Sequence, residues 1–197
     1  MAYLIDTSVL GRLANTSDAQ YLTATRAVGA LHSHGEMLRV APQNLIEFRN
    51  VATRPVEANG LGLSASDAEA KIDSFESMFS LLEETADVFP AWKSLAHSAM
   101  AIGKQVHDVR IVAICQVSGI EHIFTFNTRH MTRFAALVPG LTVVDPRSAG
   151  RPGTLDGHPS AAGPTRPSRG CHQNNLPRCL AGHKGFGRRW GNIVSLC

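Results

Sequence analysis

Short apolar runs alternate along the chain with longer stretches of helical spacing. Residues 2–5, Ala-Tyr-Leu-Ile, form an apolar run of strand length, followed by a turn into residues 8–14. Over 18–34, Tyr21, Leu22, Ala24, Val28 and Leu31 recur at helical intervals. Residues 37–41 predict a second strand. Pro42 suits the first turn of a helix that presents Leu45, Phe48 and Val51/Ala52 on one face. Arg54-Pro55 ends that helix, and Asn59-Gly60-Leu61-Gly62 reads as a loop. Ser64-Ala65-Ser66-Asp67 opens a long amphipathic helix through Ile72, Phe75, Phe79 and Leu82, with Ser66 and Glu69 as a capping box. Residues 86–89 predict a third strand, and Pro90 starts a helix running to about Gly103. Asp108 starts another, over 109–117, closed by Ser118-Gly119. Residues 123–126 and 141–144 predict the fourth and fifth strands.

Strands that alternate with helices argue for an α/β fold of three layers, α/β/α, with a central, mainly parallel sheet of four to five strands. The pattern stops after Asp145-Pro146. Residues 147–170 are rich in Pro, Gly, Ser, Ala and Arg and have no periodicity. Such a segment buries too little apolar surface to offset its ordering entropy. The expected organisation is a folded domain over 1–146 and a disordered basic extension over 147–197.

Charge follows the same division. The formal net charge of +3 combines a balance of −4 over 1–146 with +7 over 147–197, where Asp156 is the single acid. Three of the four cysteines, Cys171, Cys179 and Cys197, lie in the extension without framework spacing, and Cys115 sits in an apolar helical run. No apolar run approaches the ~18 residues of a membrane span, and Asp6 comes too early for a signal peptide. A cytoplasmic protein without membrane association is expected.

The charge that matters most is Asp6 itself, placed at the end of the first apolar run. Functional groups in open α/β sheets gather beyond the carboxyl ends of the strands. Asp6 ends strand one, Glu47 lies on the helix after strand two among apolar neighbours, Asp108 stands at a helix N-terminus, and Asn127 follows strand four. Each has an ordinary structural use: helix capping for Asp6 and Asp108, a solvated helix position for Glu47, a turn for Asn127. Taken together, they bring four oxygen donors from four βα units towards one edge. Crowded carboxylates either take up protons or bind a cation. Oxygen donors without a thiolate favour Mg²⁺ or Mn²⁺, and such a cation beside a phosphate makes a hydrolytic site.

The segments Leu4-Ile5-Asp6-Thr7-Ser8, Asn44-Leu45-Ile46-Glu47-Phe48, Val106-His107-Asp108-Val109-Arg110-Ile111-Val112-Ala113 and Ile123-Phe124-Thr125-Phe126-Asn127 occur in an order that resembles the PIN-domain ribonucleases. The resemblance is specifically to the VapC toxins of bacterial toxin–antitoxin pairs, and Val143-Val144-Asp145-Pro146 is similar to that family's last strand. It implies a PIN-like fold and Mg²⁺-dependent cleavage of RNA that leaves a 5′-phosphate, with Mn²⁺ as a substitute cation. It makes Asp6, Glu47 and Asp108 the metal ligands, adds Asn127 and Thr125 to the catalytic set, and puts Thr7 beside the site. Asn127 stands where many members carry a fourth acid, which favours one tight Mg²⁺ over two. The resemblance also implies a cognate VapB-type antitoxin, whose tail presents an arginine to the carboxylates, and it admits a homodimer. Arg129 and Arg133, with Arg110, are candidates for contacting the RNA backbone; His107, beside Asp108, is a candidate general base or supporting residue.

Two other readings compete with this one. A haloacid-dehalogenase-like phosphatase also starts with an apolar strand and Asp, but needs an acid where Ser8 stands. A catalytically silent PIN domain that only binds RNA or a partner is kept open by Asn127. Cys171, His172, Cys179 and His183 fit no zinc motif by spacing.

Overall fold

The computed structural model describes residues 1–149. The expected disordered extension lies outside the described residues, apart from its first three. Five parallel strands form one sheet in the order β3-β2-β1-β4-β5. They are β1 (Ala2–Ile5), β2 (Met37–Val40), β3 (Ser80–Leu81), β4 (His122–Phe124) and β5 (Thr142–Val144). The helices are α1 (Thr7–Ala14), α2 (Tyr21–Ser33), α3 (Pro42–Thr53), α4 (Ala65–Met78), α5 (Val88–Ser98), α6 (Gln105–Ser118), α7 (Thr128–Ala135) and α8 (Pro146–Ala149).

β1 is buried along its whole length, and its side chains alternate between two cores. Tyr3 and Ile5 pack with Val9, Leu10, Phe48, Phe75, Phe79 and Phe124 on one face. Ala2 and Leu4 pack with Val109, Val112, Ile123, Met131 and Phe134 on the other. A continuous apolar run is what a strand covered on both faces requires. From β1 the chain moves outward through β2 to β3, then crosses back to β4 on the other side of β1 and on to β5. The winding therefore reverses between β1 and β4, where open α/β sheets form a crevice beyond the carboxyl ends of the strands.

Several expected boundaries move. The third strand is Ser80–Leu81, paired through Arg39 with Ser80 and Val40 with Leu81. It is not residues 86–89, which form a turn and the start of α5. Helical spacing at Phe75, Phe79 and Leu82 had absorbed this two-residue strand. In the structure α4 ends at Met78, and Phe79 turns extended at φ −121°. The N-cap of α4 is Ser64, whose hydroxyl accepts from the Asp67 N–H, in place of the Ser66–Glu69 box. α6 begins at Gln105, so Asp108 sits within its first turn and does not open it. The sequence reading placed no element over 128–135. α7 is there, with Met131, Phe134 and Ala135 inward and its polar residues outward. α8 carries the packing on to a buried Ala149, against α2.

Among the described residues no helix is long and apolar enough to cross a membrane.

Candidate active site

Asp6 leaves β1 with its N–H still bonded to the Phe124 carbonyl of β4, at 3.0 Å. Its side chain then serves two purposes. Oδ2 caps α1 by accepting from the Ser8 N–H at 3.1 Å, and it accepts the Thr125 hydroxyl at 2.7 Å. The capping reading of Asp6 is therefore correct, yet it uses a single oxygen. Oδ1 has no protein hydrogen bond, and Asn44 Nδ2 is the only buried side-chain N or O atom without a partner among the described residues. Oδ1 of this 7 % exposed residue therefore reaches solvent.

Thr125 is fully buried directly after β4, and its N–H extends the ladder to the Val144 carbonyl of β5. Its hydroxyl donates to Asp6 and accepts from the Asn127 N–H at 2.9 Å. The Ser8 hydroxyl, 3.1 Å away, must then donate to Thr125 while accepting from the Phe126 N–H. One directed chain of bonds thus orders the segment 125–127 and fixes the Asp6 carboxylate.

Glu47 projects from α3 towards the same crevice. Its Oε2 accepts the Thr7 hydroxyl at 3.0 Å, and its Oε1 accepts the Gln43 amide at 2.5 Å. The Asp108 side chain has no protein hydrogen bond among the described residues. Partial burial and the negative charges of Asp6 and Glu47 push its carboxyl above the usual aspartate range, opposed in part by His130 and His107. Asp6 at the N-cap of α1 and Glu47 on α3 thus both act on Asp108 of α6. Asp6 and Asp108 both stand at helix N-termini, where the helix dipole offsets part of their repulsion.

Asn127 is exposed at the N-cap position of α7, with no side-chain capping bond. Arg129 and Arg133 are exposed on α7. Arg133 leans over the Phe134 ring and donates to the Gln105 side chain at 3.0 Å, while Arg129 has no protein partner among the described residues. Arg110 is placed differently from the other two candidates: its guanidinium is occupied by Gln43 and Glu84. His107 is exposed, and its Nδ1 stands 4.0 Å from Glu47 Oε1. Sequence reasoning missed Gln43 and the bridging role of Ser8. Gln43 lies one helical turn before Glu47, a spacing that was available to be read; nothing in the sequence marks the Ser8–Thr125 contact.

The donor set is entirely oxygen, which suits a hard divalent cation. No group of three or more His, Cys, Asp or Glu among the described residues is already gathered tightly enough to hold an ion. Mg²⁺ retains several waters and is commonly held by one or two carboxylates. The solvent-facing Asp6 Oδ1 and the unbonded Asp108 fit that demand, with Glu47 held nearby.

The model of one domain family, the PIN domain, matches residues 3–137. The chain belongs to the PIN-domain family. No curated protein matches the sequence at a significant level. Among solved structures, the PIN domain resembles VapBC2 from Rickettsia felis bound to a fragment of promoter DNA, at 15 % identity and TM-score 0.54, covering 74 % of this chain and 98 % of that one. It also resembles the DNA-bound VapBC of Salmonella typhimurium, at 14 % identity and TM-score 0.53, with 74 % and 98 % covered. A third is VapC20 of Mycobacterium tuberculosis, described as a toxin that cleaves the sarcin-ricin loop, at 20 % identity and TM-score 0.51, covering 71 % and 98 %. Likeness at these identities concerns the fold. The family match, and not this likeness, sets aside membership of the haloacid-dehalogenase-like phosphatases.

Proposed function

We propose that this PIN domain is a Mg²⁺-dependent endoribonuclease, the toxin of a VapBC-type pair, working in the cytoplasm. The observation that carries the reading is a pair of carboxylates left without a protein hydrogen bond among the described residues, Asp6 Oδ1 and Asp108, with Asp108 feeling the negative charges of both Asp6 and Glu47. Carboxylates crowded in this way take up protons or bind a cation. Asp6, Asp108 and Glu47 would hold the cation, with Mn²⁺ as a substitute. When bound, it would activate a water and stabilise charge on the phosphoryl oxygens.

The chain's own residues do the rest. Thr125, braced by Ser8, keeps Asp6 aimed into the crevice. Thr7 and Gln43 fix both oxygens of Glu47. Arg129 and Arg133 on α7 lie beside Asn127 and supply positive charge for the RNA backbone. A neutral Asn127 adds nothing to the charge of the crevice, which favours one tight cation. The partner expected from the VapBC and FitAB complexes among its structural neighbours is an antitoxin that covers the carboxylates; the proposal also admits a homodimer.

The test is cleavage of total cellular RNA by wild type and Asp6→Ala, each with Mg²⁺ and with EDTA. Mg²⁺-dependent products bearing 5′-phosphate ends are expected from wild type alone. Products that persist in EDTA, or equal cleavage by Asp6→Ala, would remove the nuclease reading and leave a domain that only binds.

A further inference from the structure

The Gln43 contact that holds Glu47 continues into a line through Arg110 and Glu84 that the roles assigned so far do not explain. Glu47 Oε1 accepts from Gln43 Nε2 at 2.5 Å, and Gln43 Oε1 accepts from Arg110 Nη1 at 2.8 Å. The other terminal nitrogen of Arg110 pairs with Glu84. The orientation of the Gln43 amide follows from its neighbours, since a carboxylate only accepts and a guanidinium only donates. Glutamine supplies both ends in one side chain. A glutamate at 43 would set like charge against Glu47, and an apolar residue would free that carboxylate on one side.

The line spans three parts of the fold. Glu84 follows β3, Arg110 lies on α6 two residues after Asp108, and Gln43 lies on α3 one turn before Glu47. It therefore connects the helix that carries Asp108 to the side chain of Glu47. Arg110 is half-buried and has both terminal nitrogens engaged, so it is poorly placed to reach a phosphate.

We propose that Gln43 and Arg110 are positioning residues that hold the Glu47 carboxylate in the orientation a divalent cation requires, and that Arg110 is not an RNA contact. The inference rests on the metal-dependent reading above. Groups that orient metal ligands typically change metal affinity by about 10–100-fold when removed.

The test uses the full chain as wild type, Gln43→Leu, Arg110→Met, Arg110→Lys and the double variant Gln43→Leu/Arg110→Met. Folding is checked by circular dichroism and melting temperature. Mn²⁺ affinity is read by titration calorimetry, the Mg²⁺ dependence of RNA cleavage gives a half-saturating concentration and a limiting rate, and binding of a fluorescent single-stranded RNA is measured in EDTA.

Gln43→Leu and Arg110→Met should each weaken Mn²⁺ binding by about tenfold. The half-saturating Mg²⁺ concentration should rise in step, while the limiting rate falls much less. The double variant should bind Mn²⁺ about as weakly as Gln43→Leu, because the two act in series. Arg110→Lys, which keeps the charge but loses the fork, should fall between wild type and Arg110→Met. RNA affinity in EDTA should stay within about twofold throughout. Folded variants with wild-type Mn²⁺ affinity would overturn the proposal, as would weaker RNA binding by Arg110→Met in EDTA with metal affinity intact. If Gln43→Leu fails to fold, the two Arg110 variants decide alone. A wild type that binds no Mn²⁺ would take down the nuclease reading and this inference together; a wild type that binds it, with unaffected variants, would take down this inference only.

Discussion

Replacing Thr125 with valine keeps the shape of a fully buried side chain and removes its hydroxyl. The two side chains are close in volume, so no large cavity cost enters. What is lost is the bond to the Asp6 carboxylate at 2.7 Å and the acceptor for the Asn127 N–H at 2.9 Å; the Ser8 hydroxyl also loses its acceptor. A hydrogen bond to a charged group is worth about 1.5–3 kcal/mol and a neutral one about 0.5–1.5 kcal/mol. Because Asp6 Oδ2 keeps its bond from the Ser8 N–H, values below the combined maximum apply, and Thr125→Val should lower stability by about 2–4 kcal/mol. For a domain of this size each kcal/mol moves the melting temperature by about 2–4 °C, so a fall of roughly 4–15 °C follows. Urea unfolding should show a lower midpoint with an unchanged slope. Thr125→Ser keeps the hydroxyl and loses one buried methyl, at about 1 kcal/mol. A Thr125→Val protein within about 0.5 kcal/mol of wild type, the ordinary scatter of neutral surface changes, would refute the claim that this hydroxyl chain orders the crevice.

Asp108→Asn should stabilise the metal-free protein at neutral pH while abolishing cleavage. The folded carboxyl lies above its ordinary range, so the contribution of this group to stability is full at low pH and is lost as pH rises through the folded value. Melting curves against pH should show that decline in wild type and lose it in the variant. His122 gives the opposite sign. Burial against Tyr3 holds its pKa below the usual histidine value, so its contribution is present above about pH 6.5 and lost as pH falls; His122→Gln should flatten the acid side of the stability curve. Cys115 is fully buried, and burial pushes its thiol far up. Native protein should therefore resist alkylation at this position, as followed by mass spectrometry, until denaturant is added.

The layer order was legible because β1 reads as an unbroken apolar run and the helices alternate with it at regular spacing. Short elements were not. β3 pairs through two residues only, and a two-residue strand carries no periodicity of its own. α7 is polar on most of its surface and buries Met131, Phe134 and Ala135, which in sequence resembles a loop with scattered apolar residues. Asp6 and Asp108 could be picked out as candidates because each stands at a helix N-terminus, and Glu47, in the middle of α3, only as a charge among apolar neighbours. The fate of Arg110 was not, because its partners Gln43 and Glu84 lie 67 and 26 residues away in sequence. A lone arginine beside a candidate acid gives no sign of whether it faces solvent or a neighbouring helix.

The central claim is that Asp6, Glu47 and Asp108 make one cation site. Calorimetric titration of Mn²⁺ into wild type, Asp6→Asn, Glu47→Gln and Asp108→Asn tests it most directly. The account expects one tight site in wild type and a loss of affinity of at least about tenfold in each variant, the scale on which second-sphere changes already act. Unchanged Mn²⁺ affinity in any of the three, with the fold intact, would contradict it.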